Sequence, residues 1–306
     1  MKSRPVSKPT IIFCADPLKS AAVDPSYAGE AGVAREAGFQ VVTLDHDYLD
    51  RQIDPASALR RTRFDEPGAA IYRGWMMSVE AYAALHRALA VRSIRLLTSP
   101  EEYTACHHTP ESYAALQEWM PETVWVLRSE IDDSCAIKAA LEPFADGPVI
   151  LKDWVKSQAA GYWKEACFIP DASDTDAVGR SIARFRDLQG ESLVGGLVFK
   201  KYVPLLPVGF PAHELRCFII DGRVVGCWPR SAEARAVGTP PRELLDSVAA
   251  HIPSSFASAD FARDESGRWW LLEVGDGQVS GLPDPAAARA IFQAFDNGDE
   301  AAGERA

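Results

Sequence analysis

Short apolar runs alternate with helical segments over the first third of the chain. The apolar runs, each a predicted strand, span residues 10–15, 39–44, 69–72 and 93–97. Between the last two runs, residues 78–90 repeat apolar side chains on one helical face, and Ser78 is a typical N-cap residue. Strands that alternate with helices favour a parallel sheet, because each helix carries the chain back to the same edge. We therefore predict a parallel α/β layer over residues 8–108.

In the second half of the chain the pattern changes to strands joined by short polar turns. The predicted strands span residues 149–152, 165–169, 196–203, 214–220, 223–228, 256–262 and 269–274. Asp221-Gly222 between two of them strongly indicates a two-residue hairpin turn. This pattern predicts antiparallel sheets, so the fold class is α/β followed by α+β. We divide the chain into an N-terminal α/β domain (1–108), a second domain (109–294) and a flexible tail (295–306).

The composition limits the class of protein and of partner. With 306 residues, 47% of them hydrophobic and 25% charged, the chain is typical of a globular protein of about two domains. A net charge of −11 argues against a broad nucleic-acid footprint. No apolar run is long enough to span a membrane, and we expect no signal peptide. The six scattered cysteines form no Cys-x-x-Cys pair, so we expect reduced thiols in a cytoplasmic protein, without disulfides or zinc.

Two acidic residues stand in the otherwise apolar strands of the last predicted hairpin. If Arg263 pairs with Arg268 across the turn, Asp260 and Glu273 are diagonal neighbours on one face, roughly 7–8 Å apart. Carboxylates that close repel each other unless one is protonated or a cation lies between them. Without a metal, we expect the pKa of at least one of them to be raised. The alternative is a solvated hairpin with surface acids.

Carboxylate oxygens are the ligands that Mg²⁺ prefers, and the remaining positions usually go to water and substrate phosphates. Asp260 and Glu273 are therefore candidate Mg²⁺ ligands. Asp276 follows in a Gly-Asp-Gly turn and is a candidate third ligand.

Several basic residues stand where an anion would stabilise them. Lys152 ends an apolar strand, and Lys156 and Ser157 follow in a loop with small residues, which suits a flap over phosphates. An exposed hairpin tip is the alternative. In the strand that begins at Glu214, alternation places Glu214 and Arg216 on one face. Arg216 suits contact with a phosphoryl oxygen, and the alternative is a cross-strand ion pair.

Arg73 and His107 are further polar residues of the first domain. Arg73 follows the third predicted strand, at the edge of a parallel sheet where ligand crevices form, and could hold a substrate carboxylate or phosphate. A surface arginine stacked on Trp75 is the alternative. His107 and His108 point apart on a helix and have no evident third partner, so we predict no metal site there.

The order of these motifs resembles the ATP-grasp superfamily, and within it the R2K clade. The segments that carry the resemblance are 72–76 (Tyr-Arg-Gly-Trp-Met), 149–157 (Val-Ile-Leu-Lys-Asp-Trp-Val-Lys-Ser), 213–218 (His-Glu-Leu-Arg-Cys-Phe) and 273–283 (Glu-Val-Gly-Asp-Gly-Gln-Val-Ser-Gly-Leu-Pro). The resemblance covers residues 145–282. It implies an ATP-grasp fold that follows an N-terminal domain of the kind that often precedes it.

The resemblance also implies roles for individual residues. The residues assigned to ATP are Lys152, Lys156, Ser157, Lys200, Lys201, Tyr202, Val203 and Glu214, with adenine held by backbone groups of Lys201 and Val203. Asp260 and Glu273 would bind Mg²⁺, and Arg216 and Lys156 would assist phosphoryl transfer. Two positions depart from the family pattern. Gly275 replaces an asparagine of the metal motif, so Asp276 is the candidate substitute, and Lys200 replaces an acid of the hinge.

The function that the resemblance implies is that of an ATP- and Mg²⁺-dependent ligase. Such enzymes activate a carboxylate as an acyl phosphate and transfer it to an amine, forming ADP and phosphate. Small-molecule or peptide acids and amines are the expected partners. Two alternatives remain: an RNA-end ligase or modifying enzyme, which the net charge disfavours, and a nucleotide-binding assembly chaperone for a translation factor.

Overall fold

The computed structural model describes residues 8–207, 211–234 and 238–303, and their side chains up to residue 296. The strands are β1 (Thr10–Asp16), β2 (Lys19–Val23), β3 (Val41–Leu44), β4 (Gly68–Arg73), β5 (Ile94–Leu96), β6 (Thr123–Leu127), β7 (Val149–Asp153), β8 (Phe168–Ile169), β9 (Gly196–Lys201), β10 (Leu215–Ile220), β11 (Arg223–Pro229), β12 (Phe256–Arg263) and β13 (Trp269–Asp276). The helices are α1 (Ala28–Glu36), α2 (His46–Gln52), α3 (Pro55–Ala58), α4 (Val79–Val91), α5 (Pro100–His107), α6 (Thr109–Leu116), α7 (Ser134–Leu141), α8 (Ala159–Tyr162), α9 (Thr175–Gln189), α10 (Arg242–His251) and α11 (Pro285–Gly303).

The first sheet is the predicted parallel layer. Strands β3, β1, β4 and β5 pair in parallel in that order, and β2 adds an antiparallel edge to β1. Side chains on β1 alternate between two cores, because successive residues of a strand point to opposite faces. Ile12 packs on the side of α4, whereas Ile11 and Phe13 pack on the side of α1 and α11. Ser78 caps α4 as predicted, accepting a hydrogen bond from the backbone N–H of Ala81 at 3.1 Å.

Two antiparallel sheets follow, as the second half of the sequence predicts. One has the order β6-β9-β7-β8 and is covered by α7 and α9. The other has the order β11-β10-β12-β13 and packs against α6 and α10. The fold class, parallel α/β followed by antiparallel α+β, is therefore confirmed.

The register of the last hairpin differs from the prediction. Arg263 pairs with Trp269 rather than with Arg268, because the turn is one residue longer than predicted. A bulge then leaves Leu272 without an opposite residue, and Asp260 comes to lie directly opposite Glu273. The longer turn and the bulge each shift the pairing of β12 with β13 by one residue in the same direction. The two acids are direct neighbours, not diagonal ones.

Two cysteines form a disulfide, which corrects the expectation that all six are reduced. Cys217 on β10 and Cys227 on β11 are direct cross-strand partners and are joined through their sulfur atoms. Their spacing of ten residues across a hairpin does not stand out in the sequence as a Cys-x-x-Cys pair does. The free cysteines among the described residues are Cys14, Cys106, Cys135 and Cys167.

Helix α11, in the C-terminal part of the chain, packs against the N-terminal part. Helix α11 packs on α1, and the rings of Phe39 and Phe292 lie 5.5 Å apart. The predicted tail, residues 295–306, overlaps this helix as far as Gly303, and residues 304–306 lie outside the described residues. The division of the chain into domains stays a prediction. Within the described part of the chain, no helix has the length and hydropathy that crossing a membrane requires.

Candidate active site

A polar cavity of about 310 Å³ lies beside the last hairpin. Strands β10, β12 and β13 contribute Arg216, Ser258, Asp260 and Glu273, the loop after β7 contributes residues 155–157, and the loop after β13 contributes residues 279–281. Met76 and His107 complete one wall from the N-terminal part of the chain. The structure thus brings five predicted site residues to one cavity: Lys156, Ser157, Arg216, Asp260 and Glu273.

Asp260 is the most enclosed acid of this cavity, with only 3% of the residue exposed. Arg216 binds both oxygens of its carboxylate through one edge of the guanidinium, Nε to Oδ1 at 2.8 Å and Nη2 to Oδ2 at 2.7 Å. Arg230 adds a third bond, Nη1 to Oδ2 at 3.0 Å. A buried carboxylate requires such partners, because removing a charge from water is otherwise costly. The alternative proposed from the sequence, a cross-strand ion pair at Arg216, is therefore present, and its partner is Asp260.

Glu273 has its own cationic partner on the neighbouring sheet. Its Oε1 accepts a hydrogen bond from Nζ of Lys152 at 2.9 Å, and its side chain keeps 47% of its surface exposed. Burial alone would raise the pKa of Glu273, but the charge and hydrogen bond of Lys152 outweigh it and hold the pKa below its usual value. The expectation of a raised pKa is therefore wrong for Glu273.

Lys200 lies next to this pair and is almost fully enclosed, with 8% of the residue exposed. Its Nζ donates to the backbone carbonyl of Leu272, the bulged residue of β13. Burial lowers the pKa of Lys200 to about 7, and the positive charge of Lys152 lowers it further while Glu273 opposes this. Lys200 thus anchors β9 to β13 across the two antiparallel sheets, instead of lining the cavity.

The other predicted hinge residues lie beyond the cavity, at the end of β9. The backbone N–H of Lys201 bonds to the carbonyl of Glu122 at 2.8 Å, and that of Tyr202 to the carbonyl of Pro148 at 2.9 Å. The ring of Tyr202 packs edge-on against Phe168 at 5.0 Å. The predicted contacts of Lys201, Tyr202 and Val203 with adenine stay predictions.

Glu214 stands at the edge of the carboxylate cluster. Its Oε2 accepts a hydrogen bond from Nη1 of Arg230 at 2.8 Å. Burial, followed by the nearby charge of Asp260, raises the pKa of Glu214 despite the contact with Arg230. Arg230 therefore bridges two acids that would otherwise repel each other.

Two predicted ligands are placed away from the cavity. Arg73 is 1% exposed, and all five of its N–H groups are directed to the carboxylate of Glu30 and to the carbonyls of Gly277 and Ser280. These bonds hold the loop after β13 in place, and the predicted contact of Arg73 with a substrate stays a prediction. Asp276 is fully buried, and its Oδ1 accepts bonds from the backbone and the side chain of Gln278. The structure does not bring Asp276 together with Asp260 and Glu273.

Sequence reasoning missed Arg230 as a partner of the acidic pair. Counting back from the Asp221-Gly222 turn places position 229 opposite Glu214, but a bulge in the β10–β11 ladder moves Arg230 beside it. The alternation of Glu214 and Arg216 was visible in the sequence, whereas the bulge was not.

The donor set suits a magnesium ion. Asp260 and Glu273 are opposite residues on neighbouring strands, so their oxygens face one side of the sheet and line the same polar cavity. Among the described residues, no group of three or more His, Cys, Asp or Glu side chains could hold a metal. Two carboxylates with phosphate and water oxygens match the way in which Mg²⁺ is bound beside nucleotides.

A larger cavity of about 480 Å³ lies elsewhere, between α7 and α9. Its lining is mostly apolar, with Ile137, Leu141, Val178 and Ile182 among the contributors, and it contains none of the predicted site residues. Charged groups that could act on phosphates gather at the smaller cavity, which is therefore the candidate active site.

Comparisons with known proteins identify the family of this part of the chain. Residues 140–295 match the family described as ATP-grasp domain, R2K clade family 3. No curated protein matches the chain.

Several solved structures share the fold. A RimK domain protein ATP-grasp from Sphaerobacter thermophilus DSM 20745 is 17% identical, with a TM-score of 0.60 over 92% of this chain and 98% of that chain. The D-cycloserine synthetase DcsG is 15% identical, with a TM-score of 0.58 over 94% and 99%. The ATP-grasp ligase PsnB, in complex with a phosphomimetic variant of a minimal precursor, Mg and ADP, is 11% identical, with a TM-score of 0.58 over 98% and 100%. At these identities the likeness shows the fold alone.

Proposed function

The chain belongs to the ATP-grasp domains of R2K clade family 3, and from this premise we propose that it is an ATP- and Mg²⁺-dependent carboxylate–amine ligase. A carboxylate oxygen of the acid attacks the γ-phosphorus of ATP, the bond to the β–γ bridging oxygen breaks, and ADP leaves. The nitrogen of an amine then attacks the acyl carbon, loses a proton and displaces phosphate. The ligases DcsG and PsnB share this fold, which supports the reaction class.

One observation carries the proposal: the pairing of acids and cations at a single cavity. Asp260 and Glu273 lie opposite each other, and Lys156 and Arg216 line the same cavity. Phosphoryl transfer needs little covalent help from the protein, because its main requirement is to position the reactants and to neutralise charge on the transferred group. Acids for a metal ion and cations for phosphates meet both requirements.

The proposed roles follow from the exposure of each side chain. Lys156 and Ser157 are exposed in the loop after β7, so they can contact phosphate oxygens without breaking an existing ion pair. Arg216 lines the cavity beside the enclosed Asp260, and its fork can turn towards a phosphoryl oxygen. Asp260 and Glu273 would hold Mg²⁺, which supplies positive charge to neutralise the phosphates.

In this proposal the ATP phosphates also contact the ion pair that joins the two antiparallel sheets. Lys152 spans the two antiparallel sheets through Glu273, and we assign it to phosphate contact. The end of β9, residues 200–203, is assigned to adenine, with Lys200 in a supporting position behind β13. Residues 1–108 would form the domain that supplies the acceptor side of the cavity, through Met76 and His107.

The test uses purified protein, ATP and Mg²⁺, with each protein amino acid offered singly as the acid. Hydroxylamine serves as the nucleophile, because it converts an acyl phosphate into a hydroxamate that is measured by its colour with iron. We expect ADP, phosphate and hydroxamate in equal amounts with at least one acid. Formation of AMP and pyrophosphate, or no acid-dependent nucleotide turnover, would contradict the proposal.

A further inference from the structure

Asp153 is a buried acid at the end of β7 that the proposed reaction does not use. Its exposed fraction is 0%, and each oxygen of its carboxylate accepts hydrogen bonds from N–H groups. Oδ1 accepts from the backbone N–H of Val155 at 2.7 Å and from that of Lys156. Oδ2 accepts from the side-chain amide of Gln189 at 2.8 Å and from the backbone N–H of Val194 at 3.2 Å. The carboxylate thus joins the loop after β7 to the end of α9 and to the segment before β9.

The bonds to Oδ1 fold the start of this loop into a tight turn. The backbone N–H of Asp153 also donates to the carbonyl of Lys156 at 3.0 Å, so the two residues are joined through backbone and side chain alike. An aspartate that accepts from the N–H groups two and three residues later is a common way to form such a turn. The backbone of Lys156 is therefore fixed relative to β7.

Two further positions of the loop are attached to neighbouring elements. The carbonyl of Trp154 accepts hydrogen bonds from the backbone N–H of Thr109 at 2.8 Å and from its hydroxyl at 2.9 Å. The side chain of Gln158 donates to Oε1 of Gln189 at 2.9 Å. These attachments lie on either side of residues 155–157, which are the part of the loop that lines the cavity.

The side chain of Lys156, by contrast, is not held by the protein. It is exposed at the cavity, and within the described part of the chain its ammonium has neither a hydrogen bond nor an ion pair. Lys152, the other lysine of this segment, is already paired with Glu273. A fixed backbone reduces the entropy that is lost when a ligand engages the ammonium. The loop therefore presents a charged group that is ready for an anion.

We propose that Asp153 is a positioning residue: it fixes the backbone of Lys156 so that the ammonium meets the nucleotide phosphates at a set place in the cavity. This inference rests on the proposed function, which assigns Lys156 to those phosphates. Asp153 does not line the cavity, so it acts through Lys156 and not by its own contact with the nucleotide. Gln189 supports it, because it ties the same carboxylate to α9.

The substitutions that test this role differ in how many acceptor oxygens they leave. Asp153→Ala removes both, whereas Asp153→Asn keeps one, which can serve the turn or the donors of Gln189 and Val194 but not both. Asp174→Ala is the matched control. The carboxylate of Asp174 also accepts from the backbone N–H groups two and three residues later, but it caps α9 and does not line the cavity.

The dissociation constant of Mg²⁺-ATP is measured by isothermal titration calorimetry without any acid substrate. We expect Asp153→Ala to weaken binding about tenfold, the size of one lost hydrogen bond, and Asp153→Asn to lose less. Asp174→Ala should bind as the wild type does. In the Lys156→Met background, Asp153→Ala should cause no further loss, because it acts through the missing ammonium. The same loss in both backgrounds, or no loss in either, would overturn the proposal.

Gln189→Met takes the place of Asp153→Ala if the alanine variant does not fold, because it removes the support from α9 and leaves the turn intact. Its expected loss of ATP affinity is smaller and again depends on Lys156. An equal loss in the Lys156→Met background would overturn the proposal in this case too.

A second measurement needs no ligand, so it separates this proposal from the ligase proposal. We expect the backbone amides of Val155 and Lys156 to exchange slowly with solvent in the wild type, as followed by NMR, and about tenfold faster in Asp153→Ala or Gln189→Met. Exchange in the wild type as fast as in an unfolded peptide would overturn the proposal even if ADP is formed. Absence of ligation with every acid would contradict the proposed function alone, whereas failure of the wild type to bind ATP would overturn both.

Discussion

Asp276 provides a measurable link between pH and stability. Its carboxyl is fully buried at the end of β13, Oδ1 accepts two bonds from Gln278, and Oδ2 has no partner among the described residues. Burial raises the pKa of Asp276 from 3.8 to about 7, although Gln278 and Arg73 lower it in part. The folded protein therefore keeps a proton that the unfolded chain releases at pH values between these two.

Whether stability rises or falls with pH depends on which state, folded or unfolded, binds more protons. Below pH 3.8 both states are protonated and the group has no effect; as the pH rises towards 7 the folded state is progressively disfavoured, and above 7 the loss is constant. The difference of about 3 between the two pKa values corresponds to a total loss of about 4 kcal/mol in the free energy of unfolding. Roughly 2–3 kcal/mol of this falls between about pH 5 and pH 8.

The substitution Asp276→Asn removes the titration while keeping the shape of the side chain. Urea unfolding of both proteins at several pH values gives the difference in unfolding free energy. We expect this difference to move in favour of the variant as the pH rises, and the variant should retain Mg²⁺-dependent ADP formation because Asp276 does not line the cavity. A constant difference across this range would refute the burial argument, and loss of Mg²⁺ dependence would restore Asp276 as a metal ligand.

Three further changes test the cluster around the two acids. Glu273→Gln should abolish Mg²⁺-dependent ADP formation, measured by chromatography, whereas Glu265→Gln in the exposed turn of the same hairpin should leave it unchanged. Arg230→Met should lower the free energy of unfolding in urea by about 1 kcal/mol, because Asp260 loses one of its partners while the arginine is itself partly exposed. Burial lowers the pKa of Lys200 from 10.5 to about 7, so the unfolding free energy of the wild type should rise between about pH 7 and pH 10.5. Lys200→Met should remove this rise, as measured by urea unfolding. An equal dependence on pH in both proteins would contradict the burial of a neutral Lys200.

The fold was predictable because its signals are local. Apolar runs separated by turns identify most strands of the three sheets, although β2 and β6 were not predicted, and helices between the first of them favour parallel pairing. The Asp221-Gly222 turn is read from two residues, and the structure forms that hairpin. Even the identity of the family follows from short motifs in a fixed order along the chain.

The differences between the predicted and the observed site come from irregularities that have no local signal. A longer turn and a bulge at Leu272 together place Glu273 opposite Asp260. Neither the residue types nor their spacing in the sequence predict such a bulge. Arg73 was assigned to substrate because it follows a strand of a parallel sheet. The loop at residues 277–280 returns over that edge from some two hundred positions later, and its carbonyls and the carboxylate of Glu30 together take the donors of the guanidinium.

The two neighbouring acids of β12 and β13 also show why like charges can be stable before any ligand is bound. Asp260 is held by Arg216 and Arg230, and Glu273 by Lys152, so each negative charge already has a positive partner. The phosphates of a bound nucleotide would compete with the carboxylates for these basic side chains. A divalent cation would then bind the carboxylates that have lost their basic partners. Either ligand alone would leave charges of one sign without partners, which is costly at an enclosed site. The arrangement therefore favours the joint binding of an anion and a cation over the binding of either one, as an enzyme that uses Mg²⁺ with ATP requires.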